Sequence, residues 1–351
     1  MRAMLRPRGR KDGIYVKALV TGAAGFVGAN LVRELIQDGI EVTGFVRRDS
    51  DLRNLQGLNV KLVFGDIRES EAVKEAMRGY DLLFHVAAMY SVDPSLAGHM
   101  YAVNVHGTKV VMEAALAENV KAAVHTSSIG TIGRTKNGTP PNEETDFNSW
   151  LGGSDYAKSK YLGELVALAF CQKGLPVVVV HPCAPIGAYD IKPSSSGQRV
   201  VDVLNGVCPH FLEGGINFVA VKDVARGHIL AAQKGVPGER YILGNENLAY
   251  DEFLRLVENV SGQKSPRTWG RSDVVTWLKQ AFLRRNKPTI ENWRALTCDC
   301  SKAVRELGLP QSSLEFALRD AVAWFVDNGY VRRDRRQHWT SCRTTTPTGP
   351  S

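Results

Sequence analysis

Short apolar runs and amphipathic segments alternate along the first 182 residues of the chain. The runs are rich in β-branched side chains, and Val177–Val180 is apolar throughout, as expected of a parallel strand buried on both faces. The runs that predict strands are Val16–Thr21, Glu41–Arg47, Val60–Asp66, Asp81–Ala87, Ala122–Ser127 and Pro176–Pro182. The segments with helical spacing are Phe26–Gln37, Glu69–Met77, Tyr101–Glu118 and Asp155–Gln172. This alternation predicts an α/β fold with a doubly wound parallel sheet.

The pattern changes after residue 182, where a stretch rich in Pro, Ser and Gly predicts a long loop. The later elements that we predict are the helices Gln198–Asn205, Asp223–Lys234 and Phe316–Asn328 and the strand Arg240–Leu243. Further helices are expected between residues 250 and 310, and the helical apolar spacing of Val274–Leu283 is typical of core. Since the short strand can return to the first sheet, we predict a domain over 16–182 and a smaller, interleaved C-terminal lobe over 183–330.

Composition and charge narrow the function classes. Apolar residues make up 44% of the 351 residues, which permits a sizeable core and excludes a largely disordered protein. The net charge of +8 comes from residues 1–12 and 331–351, which carry +4 each, so the part between is neutral and no nucleic-acid partner is predicted. We expect residues 1–15 and 331–351 to be disordered basic extensions.

The sequence lacks long apolar segments and metal-ligand spacings, and these absences predict where the protein is located and whether it binds a metal. No window approaches eighteen consecutive apolar residues, and the Arg-rich start has no apolar stretch of a secretory signal. We therefore expect a cytoplasmic protein with no integral membrane segment. The six cysteines have no paired metal-ligand spacing, which predicts free thiols and no metal site.

Three glycines at intervals of three residues, Gly22, Gly25 and Gly28, separate the first predicted strand from the first predicted helix. Glycines there permit a tight turn and a close backbone approach to a pyrophosphate, which the positive N-terminus of the helix attracts. The spacing is one residue wider at its start than the usual dinucleotide fingerprint. The residues predicted to form a dinucleotide-binding turn are Gly22, Ala24, Gly25, Phe26, Val27 and Gly28.

The end of the second strand bears on which dinucleotide binds. An NAD site typically has an acidic residue there for the ribose 2′-hydroxyl, whereas this strand ends in Arg47 and Arg48, with Arg53 following. Guanidinium groups would pair with the 2′-phosphate of NADP, so the sequence favours NADP. NAD stays possible, because the arginines are also consistent with solvated residues at a strand end. Asp66, with Ile67 beside it, is expected to accept a bond from the adenine amino group.

Tyr156 and Lys160 stand four residues apart and thus on one face of a predicted helix. A phenol has a pKa of about 10, and a neighbouring ammonium together with an oxidised nicotinamide would lower it. Tyr156 could then exchange a proton with a carbonyl oxygen while hydride moves at the carbon, and Lys160 would also hold the nicotinamide ribose. Ser128 ends the fifth strand, where it could bind the substrate oxygen or merely cap a turn.

Several motifs occur in one order along the chain. They are Gly22/Gly25/Gly28, Asp66, His85-Val86-Ala87-Ala88, Asn104, Thr126-Ser127-Ser128 and Tyr156 with Lys160. Over about residues 16–328 this order resembles the extended short-chain dehydrogenase/reductase superfamily, and most closely its hopanoid-associated sugar epimerase and dihydroflavonol-reductase-like group. The segments that carry the closer likeness are Tyr101–Val105, Pro185–Gly187, Asp190–Pro193 and Gly238–Gly244.

The resemblance implies a Rossmann fold and an NAD(P)-dependent enzyme. It implies that Ser128, Tyr156 and Lys160 are catalytic and that Asn104 supports the site. The further dinucleotide contacts that it implies are Val86, Ala87, Ala88 and Pro182. It also implies a homodimer formed through the helices Tyr101–Glu118 and Asp155–Gln172. His181, which precedes Pro182 where relatives usually have Asn or Arg, is interpreted as a core residue, as are His85 and His106.

The sequence leaves the reaction open. Two kinds of enzyme transfer a hydride at a secondary alcohol or ketone. One is an epimerase that acts on a sugar or nucleotide sugar, and the other is an NADPH-dependent reductase. Relatives that catalyse 4,6-dehydration resemble one another in having Asp-Glu after the active hydroxyl, and here Ile129-Gly130 stands there, so dehydration is disfavoured. A dinucleotide sensor without catalysis is a further alternative. Lys192 or Arg199 could meet a substrate diphosphate.

Overall fold

The computed structural model describes residues 16–135, 138–212, 214–264 and 295–336. Its main sheet has seven parallel strands in the order β3-β2-β1-β4-β5-β6-β9. These strands are β1 (Lys17–Thr21), β2 (Glu41–Val46), β3 (Lys61–Phe64), β4 (Leu82–His85), β5 (Ala122–Thr126), β6 (Val177–Pro182) and β9 (Arg240–Leu243). The strand order reverses direction at β1, and ligands of such sheets bind at the carboxyl edge beside that point. The predicted doubly wound sheet is confirmed.

Helices cover both faces of this sheet, because its strands are apolar on both sides. The helices of the described residues are α1 (Phe26–Gln37), α2 (Ser70–Met77), α3 (Ala97–Tyr101), α4 (Thr108–Ala117), α5 (Asp155–Gln172), α6 (Ser195–Leu204), α7 (Val221–Lys234), α8 (Tyr250–Ser261) and α9 (Leu314–Asp327). Residues of α1 and α7 share one hydrophobic core with the sheet, and residues of α2, α4 and α5 share the core on the opposite face. The predicted helix Tyr101–Glu118 begins earlier, at α3, and contains a π-helical segment, Ala102–Gly107.

The second lobe is built on a three-stranded sheet of order β10-β8-β7. Its strands are β7 (Ala184–Ile186), β8 (Ile216–Ala220) and β10 (Glu246–Leu248). Helices α6, α8 and α9 pack on it around Phe218, Phe253 and Phe325. The chain returns to the large domain twice, through α7 and through β9, which pairs with β6.

The described structure continues past the predicted end of the lobe at residue 330. Val331 is only 1% exposed and packs in the core of the second lobe, and residues 333–336 are helical. The rest of both predicted basic extensions and the apolar stretch Val274–Leu283 lie outside the described residues. Within the described ranges, no helix is long and apolar enough to span a membrane. The five cysteines of these ranges are free thiols, as predicted.

Candidate active site

The turn between β1 and α1 is so compact that side chains would not fit at two of its glycines. Gly22 has a φ of +71°, and a Cβ atom there would lie 2.8 Å from the backbone nitrogen and Cα of Ala87. A Cβ atom on Gly28 would collide with the carbonyl oxygen of Gly22. Gly25 is exposed and directly precedes α1. The turn thus brings an open helix N-terminus to the carboxyl edge of the sheet, which fits the backbone cradle that a dinucleotide pyrophosphate requires.

The other residues predicted to line this cradle lie at the same edge of the sheet. They are Ala24, Phe26, Val27, Val86, Ala87 and Ala88. The N–H groups of Val86 and Ala87 donate to the carbonyl and hydroxyl oxygens of Thr21, at 3.3 and 3.2 Å. The segment after β4 is therefore held against the end of β1, and the two strands share one crevice.

Asn54, which the sequence analysis did not single out, ties the glycine turn to the second lobe. Its side-chain amide donates to the carbonyl oxygens of Ala24 at 3.2 Å and Tyr189 at 2.8 Å. Arg33 donates to the Asn54 carbonyl at 2.8 Å and lies 3.5 Å from the centre of the Tyr189 ring. Tyr189 has a φ of +75°, a conformation that a non-glycine residue adopts only when its surroundings impose it. The loop after β7 is thus bound to the dinucleotide turn.

Two of the three arginines expected near the ribose already have carboxylate partners. Arg47 contacts Asp49 at 3.0 Å, and Arg53 contacts Asp51 at 2.7 Å. The hydrogen bonds from Arg53 lower the pKa of Asp51. Arg48 is exposed and makes no ion pair with any residue that the structure describes. Arg48 is therefore the most available of the three for a 2′-phosphate.

Asp66 follows β3 and holds Arg68. Its carboxylate accepts bonds from the Arg68 backbone N–H, Nε and Nη2 at 2.9, 2.9 and 2.6 Å. These side-chain bonds lower the pKa of Asp66 despite its partial burial. A carboxylate accepts about four hydrogen bonds, so it retains capacity for one further donor such as an adenine amino group. Ile67 is buried beside Gly107.

Ser128 and Tyr156 meet at the carboxyl edge of β5. Ser128 follows this strand and accepts a bond from the Gly130 N–H at 3.1 Å, so it caps a turn as well. The Ser154 hydroxyl accepts from the Ala157 N–H at 3.2 Å and caps α5, which places Tyr156 in the first helical turn. Ser128 lies close enough to Tyr156 to act on the pKa of its phenol, which it lowers. The two hydroxyls predicted to face one substrate oxygen are thus neighbours.

Lys160 lies one turn further along α5 and is buried. Its ammonium donates to the carbonyl oxygen of Thr126 at 2.6 Å, and burial lowers its pKa to about 8. Burial raises the pKa of Tyr156 to about 12, although Ser128 acts in the opposite direction. Among the groups of the protein, desolvation of the phenolate outweighs the favourable contacts.

Asn104 lies in the π-helical segment between α3 and α4. Its amide oxygen accepts from the Met89 N–H at 2.8 Å, and its amide nitrogen donates to the Met89 carbonyl and to the Ser159 hydroxyl, both at 2.9 Å. Ser159 in turn donates to the carbonyl oxygen of Tyr156 at 2.9 Å. Asn104 thus connects the loop after β4 to the helix that carries Tyr156, as a positioning residue. π-Helical turns often occur at functional sites.

This geometry can be compared with known proteins. The model of the NAD dependent epimerase/dehydratase family matches residues 18–244. The chain belongs to this family. As a member, it is an NAD(P)-dependent enzyme of the extended short-chain dehydrogenase/reductase type.

Proteins with different names resemble the chain over most of its length. A Synechocystis sp. protein provisionally named dihydroflavonol 4-reductase is 37% identical, and the alignment covers 89% of this chain and 95% of that protein. Sterol demethylase protein B of Methylococcus capsulatus is 34% identical, covering 89% and 99%. The crystal structure of gox2253 has 34% identity and a TM-score of 0.79, covering 90% and 99%.

Glu164 of this epimerase/dehydratase family member is a buried carboxylate with several polar and charged partners, and the sequence analysis missed it. Its Oε2 accepts bonds from Ser127 at 2.6 Å, Thr131 at 2.9 Å and His181 at 3.0 Å. Arg240 Nε lies 2.9 Å from Oε1, as an ion pair rather than an aligned hydrogen bond. Burial would raise the pKa of Glu164, but His181 and Arg240 outweigh it and lower the pKa to about 2. Ser127 and Thr131 flank Ser128, so Glu164 anchors the segment that carries it.

Two histidines of the sheet, His181 and His85, have structural partners. His181 is fully buried against Glu164, which confirms its interpretation as a core residue, and the adjacent Pro182 pairs with Leu243 of β9. His85 contacts the hydroxyl of Thr21 at 2.8 Å and is also bonded to Thr108, and burial lowers its pKa to about 3. His106 is exposed on the π-helical segment, contrary to the prediction of a core residue.

Proposed function

We propose that the protein transfers a hydride between NADP and a secondary alcohol or ketone, with Tyr156 as the group that exchanges the proton. The observation that carries the proposal is the position of Ser128 just after β5, at the carboxyl edge of the sheet and beside Tyr156 in the first turn of α5. Two hydroxyls at this edge of a doubly wound sheet can bind one carbonyl oxygen between them. The buried Lys160 stands one helical turn below.

The glycine turn and its neighbours would hold the dinucleotide. The residues that we assign to it are Gly22, Ala24, Gly25, Phe26, Val27, Gly28, Arg47, Arg48, Arg53, Asp66, Ile67, Val86, Ala87, Ala88, Tyr156, Lys160 and Pro182. When bound, the nicotinamide supplies or accepts the hydride. Lys160 would orient its ribose, and the N-terminus of α1 would bind the pyrophosphate.

The electrostatics of Tyr156 favour proton donation, which is the direction that reduction of a ketone requires. With a pKa of about 12, Tyr156 holds its proton at neutral pH. Ser128 would hold the carbonyl oxygen against Tyr156, whose hydroxyl then donates the proton to the alkoxide as it forms. An alkoxide is a stronger base than a phenolate, so this transfer is downhill. An epimerase ends with the same proton transfer, so our choice of the reductase as first candidate rests on the Synechocystis relative that is provisionally named dihydroflavonol 4-reductase.

An epimerase that acts on a sugar or nucleotide sugar is the second candidate. It is supported by structural likeness to PA4631, a nucleoside-diphosphate-sugar epimerase from Pseudomonas aeruginosa, at 26% identity and a TM-score of 0.75 over 91% of this chain and 100% of that one. Dehydration itself stays disfavoured, because the buried Ile129 follows Ser128 in place of an acid.

The absorbance of the purified protein and its reaction with NADPH separate the two candidates. An epimerase returns the hydride to its substrate and therefore retains its cofactor, which we would detect as a stoichiometric near-ultraviolet chromophore. A reductase releases oxidised cofactor, so NADPH is consumed when a ketone is added. We expect NADPH consumption. Retained cofactor without net NADPH consumption would favour the epimerase.

We expect Arg48→Ala to weaken NADPH binding by about tenfold and to leave NADH binding within about twofold, as loss of one charge-assisted phosphate contact predicts. Arg48 is the arginine of this strand end without an ion pair among the described residues, so its guanidinium is available to the 2′-phosphate. Arg78→Ala, far along the chain beyond α2, is the control. Fluorescence titration with both nucleotides measures the ratio, and equal weakening of NADPH and NADH would contradict the assignment.

We also propose a homodimer formed through α4 and α5. On α5 the side chain of Leu165 is exposed, and Leu162 and Leu168 on the same helix are half-buried. Such an apolar stripe on α5 suits an interface with a second copy across a two-fold axis. Sedimentation equilibrium should give twice the chain mass for the native protein and the single chain mass for Leu165→Arg.

A further inference from the structure

Tyr90 lies beside the proposed acid–base group, in the loop between β4 and α3. Its ring meets the Tyr156 ring edge-on, with 4.9 Å between the ring centres and 84° between the planes. Its hydroxyl lies 3.2 Å from the hydroxyl of Ser195 at the start of α6. Tyr90 therefore joins the large domain to the second lobe across the crevice. It is nevertheless 57% exposed, so a ligand can reach it.

Buried polar contacts hold the backbone next to Tyr90. Asn104 binds both the N–H and the carbonyl of Met89, and it also donates to Ser159 on α5. These contacts of the neighbouring backbone therefore fix the position of Tyr90 relative to Tyr156, and the exposed ring of Tyr90 takes no part in them. A firmly held backbone that presents an exposed aromatic ring is the arrangement expected of a ligand-contacting residue.

The two loops beside Tyr156 expose further apolar side chains. Val92 (84% exposed) and Leu96 follow Tyr90, and Trp150 and Leu151 (96% exposed) precede α5. Both loops connect a parallel strand to the next helix, so both lie at the carboxyl edge of the sheet, where ligands bind. Apolar side chains grouped at such a crevice are typical of a rim that contacts an apolar ligand.

Arg199, the residue of α6 that was expected to meet a diphosphate, is engaged within the protein. Its Nε donates to the His210 carbonyl at 2.8 Å, and its Nη1 donates to the Ser195 carbonyl. Burial lowers its pKa, which shows that its charge is poorly solvated. These bonds occupy two of its five N–H donors, so Arg199 is less available to a nucleoside diphosphate than an arginine without such bonds. The exposed apolar side chains of the two loops therefore favour an uncharged ring beside Tyr90.

We propose that Tyr90 contacts the substrate and selects compounds in which an apolar ring carries the reacting oxygen. This inference rests on the proposed function, because it is Tyr156 that holds that oxygen. A ring bound to Tyr156 and Ser128 through its oxygen packs against the face of Tyr90, and the bond to Ser195 holds Tyr90 over it. Tyr90 is thus a specificity-determining residue, and the two loops supply the apolar surroundings.

Binding measured without turnover tests this role. The probe is trans-2-decalone, two fused apolar rings with one ketone, and the protein is the NADPH complex of Tyr156→Phe. Equilibrium dialysis compares this variant with Tyr156→Phe/Tyr90→Ala and Tyr156→Phe/Tyr90→Phe. We expect the alanine to weaken decalone binding by about tenfold and the phenylalanine to preserve it within about threefold, since only the alanine removes the ring. Circular dichroism verifies that all three variants are folded.

Each other outcome overturns a defined part of the inference. Equal affinity with tyrosine and alanine at position 90 overturns the contact, and so does the absence of decalone binding to the native protein with oxidised NADP, in which Tyr156 keeps its hydroxyl and no turnover occurs. Displacement of decalone by an equal concentration of UDP-glucose overturns the substrate class. Failure of the proposed function is seen separately, in a native protein that binds decalone and NADPH but does not oxidise the NADPH.

Discussion

A Tyr156→Phe variant is expected to reduce ketones about 10²–10⁴ times more slowly than the native protein, the range that a positioned general acid contributes. The substitution keeps an aromatic ring against Tyr90 and removes the hydroxyl beside Ser128. Tyr156 is one of many residues assigned to the dinucleotide and its hydroxyl is separate from the proposed pyrophosphate cradle at Gly22, so the affinity for NADPH should fall by less than about threefold. The rate of NADPH oxidation and a fluorescence titration measure the two effects.

Tyr101→Phe is the matched control for this prediction. Tyr101 also bonds to the start of α5, since its hydroxyl donates to the Asp155 carboxylate at 3.2 Å. Its loss should change turnover by less than about threefold, as for an exposed hydrogen bond. Undiminished turnover by Tyr156→Phe would remove Tyr156 from the mechanism. No ketone turnover by native protein that binds NADPH would instead favour the dinucleotide-sensor alternative.

Replacing Glu164 with alanine is expected to lower the free energy of unfolding by about 3–5 kcal/mol, which is typical of breaking a buried charged pair. Glu164 is 1% exposed, and its loss leaves His181 and Arg240 without their carboxylate partner. Ser127 and Thr131 lose their acceptor too. Urea unfolding, with the midpoint and slope compared between variants, measures the change.

Glu164→Gln keeps the volume of the side chain and should lose less stability than the alanine variant. Because the folded pKa of Glu164 is about 2 and its ordinary value is 4.5, ionised Glu164 contributes stability above pH 4.5. The difference between native protein and Glu164→Gln should therefore shrink as the pH falls from 4.5 towards 2. Glu113→Gln, in an exposed pair with Lys109 on α4, should cost less than about 1 kcal/mol. A pH-independent difference for Glu164→Gln would contradict the charged role.

The periodicity of the sequence predicted the large domain well because its signals are local. Helix α1 has the predicted bounds, since the glycine turn precedes it, and so does α5, which begins at the cap provided by Ser154. Strand ends differ from the prediction by one or two residues where the ladder of hydrogen bonds stops before the apolar run does. The helix that contains Asn104 did not have the predicted bounds. Its π-helical segment occurs where Asn104 contacts Met89 and Ser159, and the spacing of apolar residues does not encode these contacts.

The candidate site was only partly predictable from sequence. Glu164 continues the four-residue spacing of Tyr156 and Lys160, so the helical face contained a signal for it, but its partners lie on β5, β6 and β9. Tyr90 and Asn54 stand in loops without a pattern. Their partners Ser195 and Tyr189 are more than one hundred residues away along the chain.

By itself, the sequence determined the parallel sheet, the glycine turn and the helix that carries Tyr156 and Lys160, because strand, turn and helix preferences act over a few residues. Only the tertiary structure decided the charge state of the site. The pKa of Tyr156 is raised rather than lowered, since desolvation depends on which residues from distant segments cover the phenol. The tertiary structure also decided that Tyr90 meets Tyr156 across the crevice, because that contact exists only once the loops of the sheet and the second lobe are packed together.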